Sequence, residues 1–343
     1  MIEVSRYRPA FKPDLRYAYA TGRIRALESR QLRRQDIERL IEVRHPEEAV
    51  RILTEGGYGG ELPRLEGWSD FEYMLEIQQR SVIDLLSELS KDTSISDLFL
   101  ERYDFYNLKV LLKAKYSHQD LDHLLIGIGR TSIDLLKKAV MESDYRGVSG
   151  AIKDIIGWVD TVWEGMLDPQ LIDVAVDNRM YDRFLSIVVP FGNRFLHDWL
   201  RLEIDLANLR TFLRLKWLGL EDIMDQVLVK GGTIEELKFL SLRGESWERV
   251  IEAFRKTGYA DVVAEGVGHL LDASSFSRLE SLSDGLIISF LRRAKLQPFG
   301  IEPLIAYVLL REYEFKAVRA IVVGKMNGVA DDLIRERVVN GYV

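Results

Sequence analysis

Two adjacent aspartates, Asp331 and Asp332 in "ADDLIRE", are the residues best placed to start a divalent-cation motif. Arg335 stands where a third carboxylate would be needed, which makes the pair the acidic first turn of a helix. Five histidines are present, and only His118 and His123 are close in sequence. Five residues apart, they fall on different helix faces, and no carboxylate–histidine spacing suits zinc or a di-iron bundle. The 343 residues include no cysteine, so disulfides, thiolate metal sites and cysteine nucleophiles are excluded. "GIGRTS" (Gly127, Gly129) and "GVGHLL" (Gly266, Gly268) lack the third glycine of a dinucleotide loop and follow no strand. "VVGKMN" lacks the first glycine and the hydroxyl of a phosphate loop. The run "GGYGG" at residues 56–60 could approach a phosphate, but its relatives in the chain lose most of those glycines, which favours a turn. No catalytic, cofactor-binding or metal-binding residue is assigned, and no cofactor or small-molecule substrate is expected.

The groups that recur are basic, and they sit on helices. In "YDFYNLKVLLKAKY", Phe105, Leu108, Leu112 and Tyr116 share one face while Lys109 and Lys113 share another. Asp104 lies in the first turn of the stretch. "IDLANLRTFLRLKW" repeats it, with Asp205, Asn208, Arg210 and Arg214 in the places of Asp104, Asn107, Lys109 and Lys113. "YEFKAVRAIVVGKM" repeats it again with Glu314 and Arg319, although Ala317 replaces the asparagine and Val323 the second basic residue. A tyrosine-marked turn recurs as well, at Tyr58, Tyr145 and Tyr259, each after an amphipathic stretch. The period is roughly a hundred residues, well beyond the ~34–47 of common helical solenoids. Each unit is therefore a small helical bundle. Strong helix formers dominate and strand alternation is absent over any length, so an all-α fold is predicted. The expected units are residues 1–115, 116–217 and 218–343.

Composition is that of an ordinary globular chain, 47% hydrophobic and 29% charged, with net charge −7. That balance excludes a generic nucleic-acid binder. Residues 1–34 are basic nonetheless, through Arg6, Arg8, Lys12, Arg16, Arg23, Arg25, Arg30, Arg33 and Arg34 against Glu3, Asp14 and Glu28. The acidic interruptions favour a solvated or docking surface over a cleaved presequence. No apolar run reaches the ~18–20 residues that span a bilayer.

"YGGELPRLEGWSDFEYMLEIQQ", "ERYDFYNLKVLLKAKY", "LEIDLANLRTFLRLKWLGL" and "REYEFKAVRAIVVGKMNG" together resemble the C subunits of prokaryotic V/A-type rotary ATPases, which are related to the eukaryotic d subunit. The resemblance runs from about Tyr17 to Val339. It implies three similar helical bundles around a pseudo-threefold axis, forming a funnel without a catalytic site. It also implies partners: the central axle, made of the D and F subunits, in the mouth, and the membrane ring of proteolipid subunits below, on the cytoplasmic face. Were the units to close around an axis, Lys109, Lys113, Arg210, Arg214 and Arg319 would form a ring facing a partner. The competing classes are a free-standing adaptor holding a helical partner, and an all-helical enzyme using Tyr58 or Asp331–Asp332 with a metal.

Overall fold

The computed structural model describes residues 13–58, 71–163 and 170–338. Arg6, Arg8 and Lys12 of the basic segment, and Gly59 and Gly60 of the glycine run, lie outside the described residues. Among the described residues there is no strand, and the fold is all-α. The chain divides into two compact units. A central unit spans Asp92–Gly244, and a terminal unit joins Met1–Lys91 to Glu245–Val343. The expected boundaries near 115 and 217 fall at the ends of two helices inside the central unit.

The central unit holds α5 (Thr93–Ser117), α6 (Ile133–Met141), α7 (Gly150–Trp163), α8 (Gln170–Phe191), α9 (Arg194–Leu218), α10 (Met224–Val227) and α11 (Glu236–Leu240), numbered in chain order. Local chemistry sets their ends. Ser132 caps α6 by accepting from the Leu135 N–H, and Asn193 caps α9 by accepting from the Leu196 N–H at 3.1 Å. Gly219, at φ +70°, closes α9 by donating its N–H to the Leu215 and Lys216 carbonyls. Helix α8 packs against both α5 and α9. Phe105 meets Phe184 edge-on at 6.2 Å, and Phe99 stacks on Trp199 at 5.8 Å. Such pairs contribute roughly 0.5–1.5 kcal/mol each beyond their buried area.

The terminal unit holds α1 (Ala18–Glu28), α2 (Arg34–Glu42), α3 (Pro46–Leu53) and α4 (Phe71–Leu89) from one end of the chain. From the other come α12 (Trp247–Phe254), α13 (Ala260–Ala273), α14 (Ser277–Leu291), α15 (Ile301–Met326) and α16 (Asp331–Val338). Helix α15 is apolar on most of its circumference, and α1, α2, α4, α14 and α16 all pack on it. Polar contacts fasten the two chain ends. The Arg25 guanidinium donates to the carbonyls of Ala294, Lys295 and Gln297 at 3.1–3.2 Å. The Asp14 N–H reaches the Phe299 carbonyl at 3.2 Å. Asp331 and Asp332 begin α16, where Lys325 and Arg335 hold them at 2.6 and 2.7 Å.

Candidate functional site

Three helices, α5, α9 and α15, carry the recurring residues, and their buried acids and amides do one kind of work. Asp104, 2% exposed, accepts the Thr131 N–H on both carboxylate oxygens at 3.0 and 3.1 Å and the Thr131 hydroxyl at 3.0 Å. Asp205, fully buried, accepts the N–H groups of Thr233 and Ile234 at 2.7 and 2.9 Å and the Thr233 hydroxyl. One turn further along each helix, an asparagine forms a two-point clip on backbone. Asn107 donates to the Ile126 carbonyl at 2.8 Å and accepts the Ile126 N–H at 2.9 Å. Asn208 does the same with Val229, both bonds at 2.8 Å. An acid and an amide on adjacent turns thus hold a full peptide turn against the helix.

The same contacts explain two of the glycines. A Cβ on Gly129 would collide with Oδ1 of Asp104, and one on Gly232 with Oδ1 of Asp205. Gly129 is therefore not part of a nucleotide loop; it lets backbone approach a carboxylate.

The third copy is built differently. Glu314, 2% exposed, receives the Leu32 N–H at 3.3 Å, from a residue 282 positions upstream. Its turn is supplied by the other end of the chain. Ala317 cannot clip backbone, and the compensating group is Arg311, 4% exposed, which pairs with Glu314. The Arg311 guanidinium lies 4.6 Å from the Tyr58 ring centre and 4.9 Å from that of Phe315. Burial pushes the Glu314 carboxyl up to about 7, opposed by Arg311, the Tyr58 hydroxyl and the Leu32 N–H. Burial likewise raises Asp104 to about 6, against the stabilising Thr131 bonds.

Three of the five basic residues meet acids within their own unit. Lys109 and Lys113 on α5 pair with Asp177 and Asp173 on α8 at 2.5 and 2.6 Å. Arg319 on α15 pairs with Glu72 on α4 at 3.0 Å. In both cases the partner helix is the long one that leads into the next recurring helix, α9 or α5. Arg210 donates to the Leu206 carbonyl at 3.2 Å, and Arg214 is half-buried on the same helix. All five are half-buried.

The tyrosines diverge. Tyr58 is fully buried and edge-on to Phe315 at 6.0 Å, and Tyr259, 4% exposed, sits at the start of α13. Tyr145 is half-buried, with the Lys153 ammonium 5.5 Å from its ring centre. Among the histidines, His45 and His118 flank helix ends. His269 lines a cavity of about 690 Å³ between α13, α14, α15 and α16, with Nε2 3.2 Å from the Ser277 hydroxyl and Nδ1 3.5 Å from Glu336. Among the described residues no cluster of acids and histidines could bind a metal ion.

Sequence reasoning missed Thr131, Thr233, Leu32 and Arg311, and the acids Asp173, Asp177 and Glu72. A glycine one or two positions before a threonine, 27 and 28 positions after Asp104 and Asp205, was the readable signal for the first two.

A family profile described as "ATP synthase (C/AC39) subunit" matches residues 20–337. The chain is 27% identical to the C subunit of the A-type ATP synthase of Methanosarcina acetivorans, over 94% of this chain and 92% of that one. It is 29% identical to the C subunit of the V-type sodium ATPase of Enterococcus hirae, over 80% and 83% of the two chains. With the C subunit of the A-type ATP synthase of Methanocaldococcus jannaschii the identity is 23%, over 94% and 86%.

Proposed function

The chain belongs to the ATP synthase (C/AC39) subunit family, and on that premise we propose that it is a non-catalytic rotor subunit of a V/A-type ATPase. In this reading it couples a central axle of the D and F subunits to the membrane proteolipid ring, at the cytoplasmic face, so that nucleotide turnover drives ion transport or the reverse. Three similar helical bundles around a pseudo-threefold axis would give the funnel that such a coupling needs. No helix among the described residues is long and apolar enough to cross a membrane, so contact with the ring would be peripheral.

The observation that carries the proposal is the family match over residues 20–337. The build of the three recurring helices supports it. They run 25, 25 and 26 residues, and each commits a buried acid to a turn or an ion pair. Helices tied in this way resist sliding, as a part under torque must. Lys109, Lys113, Arg210, Arg214 and Arg319 are proposed to serve twice, clamping neighbouring helices and presenting charge to the axle or ring. Rim charges of this kind set orientation and association rate more than affinity.

The test is assembly with and without the chain. A complex lacking it should retain ATP hydrolysis in its catalytic head and lose ATP-driven ion transport, with transport restored on adding the purified chain. Ion transport at the normal rate in the complex without the chain would overturn the reading.

A further inference from the structure

A second cavity of about 500 Å³ lies in the terminal unit between α1, α4 and α15. Four guanidinium groups line it: Arg23 on α1, Arg30 just beyond its end, Arg80 on α4 and Arg311 on α15. Gln78, Ser81 and Tyr307 add neutral polar groups, and Asp84 and Glu88 are the acids on its wall. Much of this charge is spoken for. Arg23 holds Glu88 at 2.5 Å, Arg80 reaches Glu76 at 3.6 Å, and Arg311 is paired with Glu314 outside the cavity. Arg30 is exposed and its side chain has no hydrogen-bond or ion-pair partner among the described residues. Tyr307 is 6% exposed, and its hydroxyl makes no hydrogen bond among the described residues.

The Tyr307 hydroxyl faces the cavity and is left to whatever fills it, solvent or a bound group. Here it lines the same cavity as an uncommitted guanidinium and a deeply buried one. The planar donors of arginine match the paired oxygens of a tetrahedral oxyanion. We propose that this cavity is a binding site for a small dianionic oxyanion of the phosphate or sulfate class, held by Arg30, Arg80, Arg311 and the Tyr307 hydroxyl. The site goes beyond the rotor reading and does not depend on it. Because its walls come from α1, α4 and α15, the anion bridges the two ends of the chain.

Glu314 then acts as its control. The carboxylate beside Arg311 neutralises the most deeply buried of the four guanidinium groups, so removing that negative charge strengthens the anion's attraction. Arg311 on the same helix, Tyr58 from the turn after α3 and Asp36 from α2 are the charged or titratable groups around Glu314. Tyr307, Glu28 and Arg30 form the adjoining layer, linked through Tyr307.

The test is titration calorimetry of the full purified chain with sulfate, which does not itself titrate near neutrality, at constant ionic strength against chloride. Wild type should show one site. R30A/R80A, two surface changes that leave the folding midpoint in place, should weaken it at least tenfold, and Y307F several-fold. E314Q should tighten it several-fold without touching the cavity wall. Absence of saturable sulfate binding to wild type would overturn the proposal, as would R30A/R80A binding at wild-type strength. If E314Q lowers the folding midpoint, the R30A/R80A comparison still decides.

Discussion

Asn208 offers the sharpest measurement of how the recurring helices hold their turns. In N208L the replacement has similar volume but no polar atoms, so the Val229 N–H and C=O both lose their partner. Asn208 is 1% exposed and Val229 4%, which leaves no route for water to either group. An unmet buried backbone group costs about 1–3 kcal/mol, so the pair together should cost about 3–4 kcal/mol once the turn relaxes. In a unit of this size 1 kcal/mol moves the thermal midpoint by ~2–4 °C, which gives a fall of roughly 6–16 °C. Asn107 makes the same two bonds to Ile126, but Ile126 is half-buried, and water can meet one of the freed groups. N107L should therefore cost about 1–2 kcal/mol. The assay is urea denaturation of both variants, with amide exchange at Val229 and Ile126 as the local reporter. If N107L matched or exceeded N208L, or if the Val229 amide exchanged freely in wild type, the clip would not be what holds the turn.

Other expectations follow from the same contacts. G129A and G232A should each lower the midpoint, because the new methyl displaces the carboxylate of Asp104 or Asp205, and D104N should recover none of the loss; an unchanged midpoint in both alanine variants would contradict the close approach. Glu314 and Asp104 lie above the ordinary carboxylate range, at about 7 and about 6, so the folded chain binds these protons more tightly than the unfolded one. Their contribution is fully present below the ordinary carboxyl values of 3.8 and 4.5 and is lost as pH rises from there through about 6 and about 7, and midpoints recorded from pH 4.5 to 8 should flatten in E314Q. A double-mutant cycle on Lys113 and Asp173 should return a coupling of about 0.2–1 kcal/mol that shrinks with salt. K113E/R214E should keep the fold while weakening assembly at low salt, and wild-type assembly at every salt concentration would remove both residues from the interface.

The longer helices were legible because strong helix formers run through them without strand alternation, and the match of Asp104 with Asp205 and Glu314 was legible because one helix pattern repeats. What the acids and amides bind was not. Thr131 and Thr233 lie in turns with no periodicity of their own, and a carboxylate reaching back to them leaves no mark in the helix pattern. Asp177 and Glu72 were equally hidden, since each meets its basic partner across a helix pair whose members lie far apart in sequence. The unit boundaries follow from a related cause. Landmarks counted along the chain place the first unit at residues 1–115, yet the turn held by Glu314 contains Leu32. Sequence order and packing order therefore part company at the two ends. Arg311 was invisible for the opposite reason: a single buried arginine in an apolar helix carries no repeat at all.

The bond from Leu32 to Glu314 also sets a schedule for biosynthesis. A ribosome releases α1 to α4 long before α15 exists, and the buried face of α4 has nothing to rest on until residues 301–326 emerge. The central unit, drawn from one continuous stretch, can fold during that interval. The N-terminal helices wait through it with apolar surface exposed, which is the condition under which nascent chains aggregate or recruit chaperones. Joining α16 to α1 by a linker and opening the chain near residue 91 would place α1 to α4 after α16 instead. Such a permutant would make its two units one after the other, each from unbroken sequence, and should gain soluble yield at high expression without changing the finished fold.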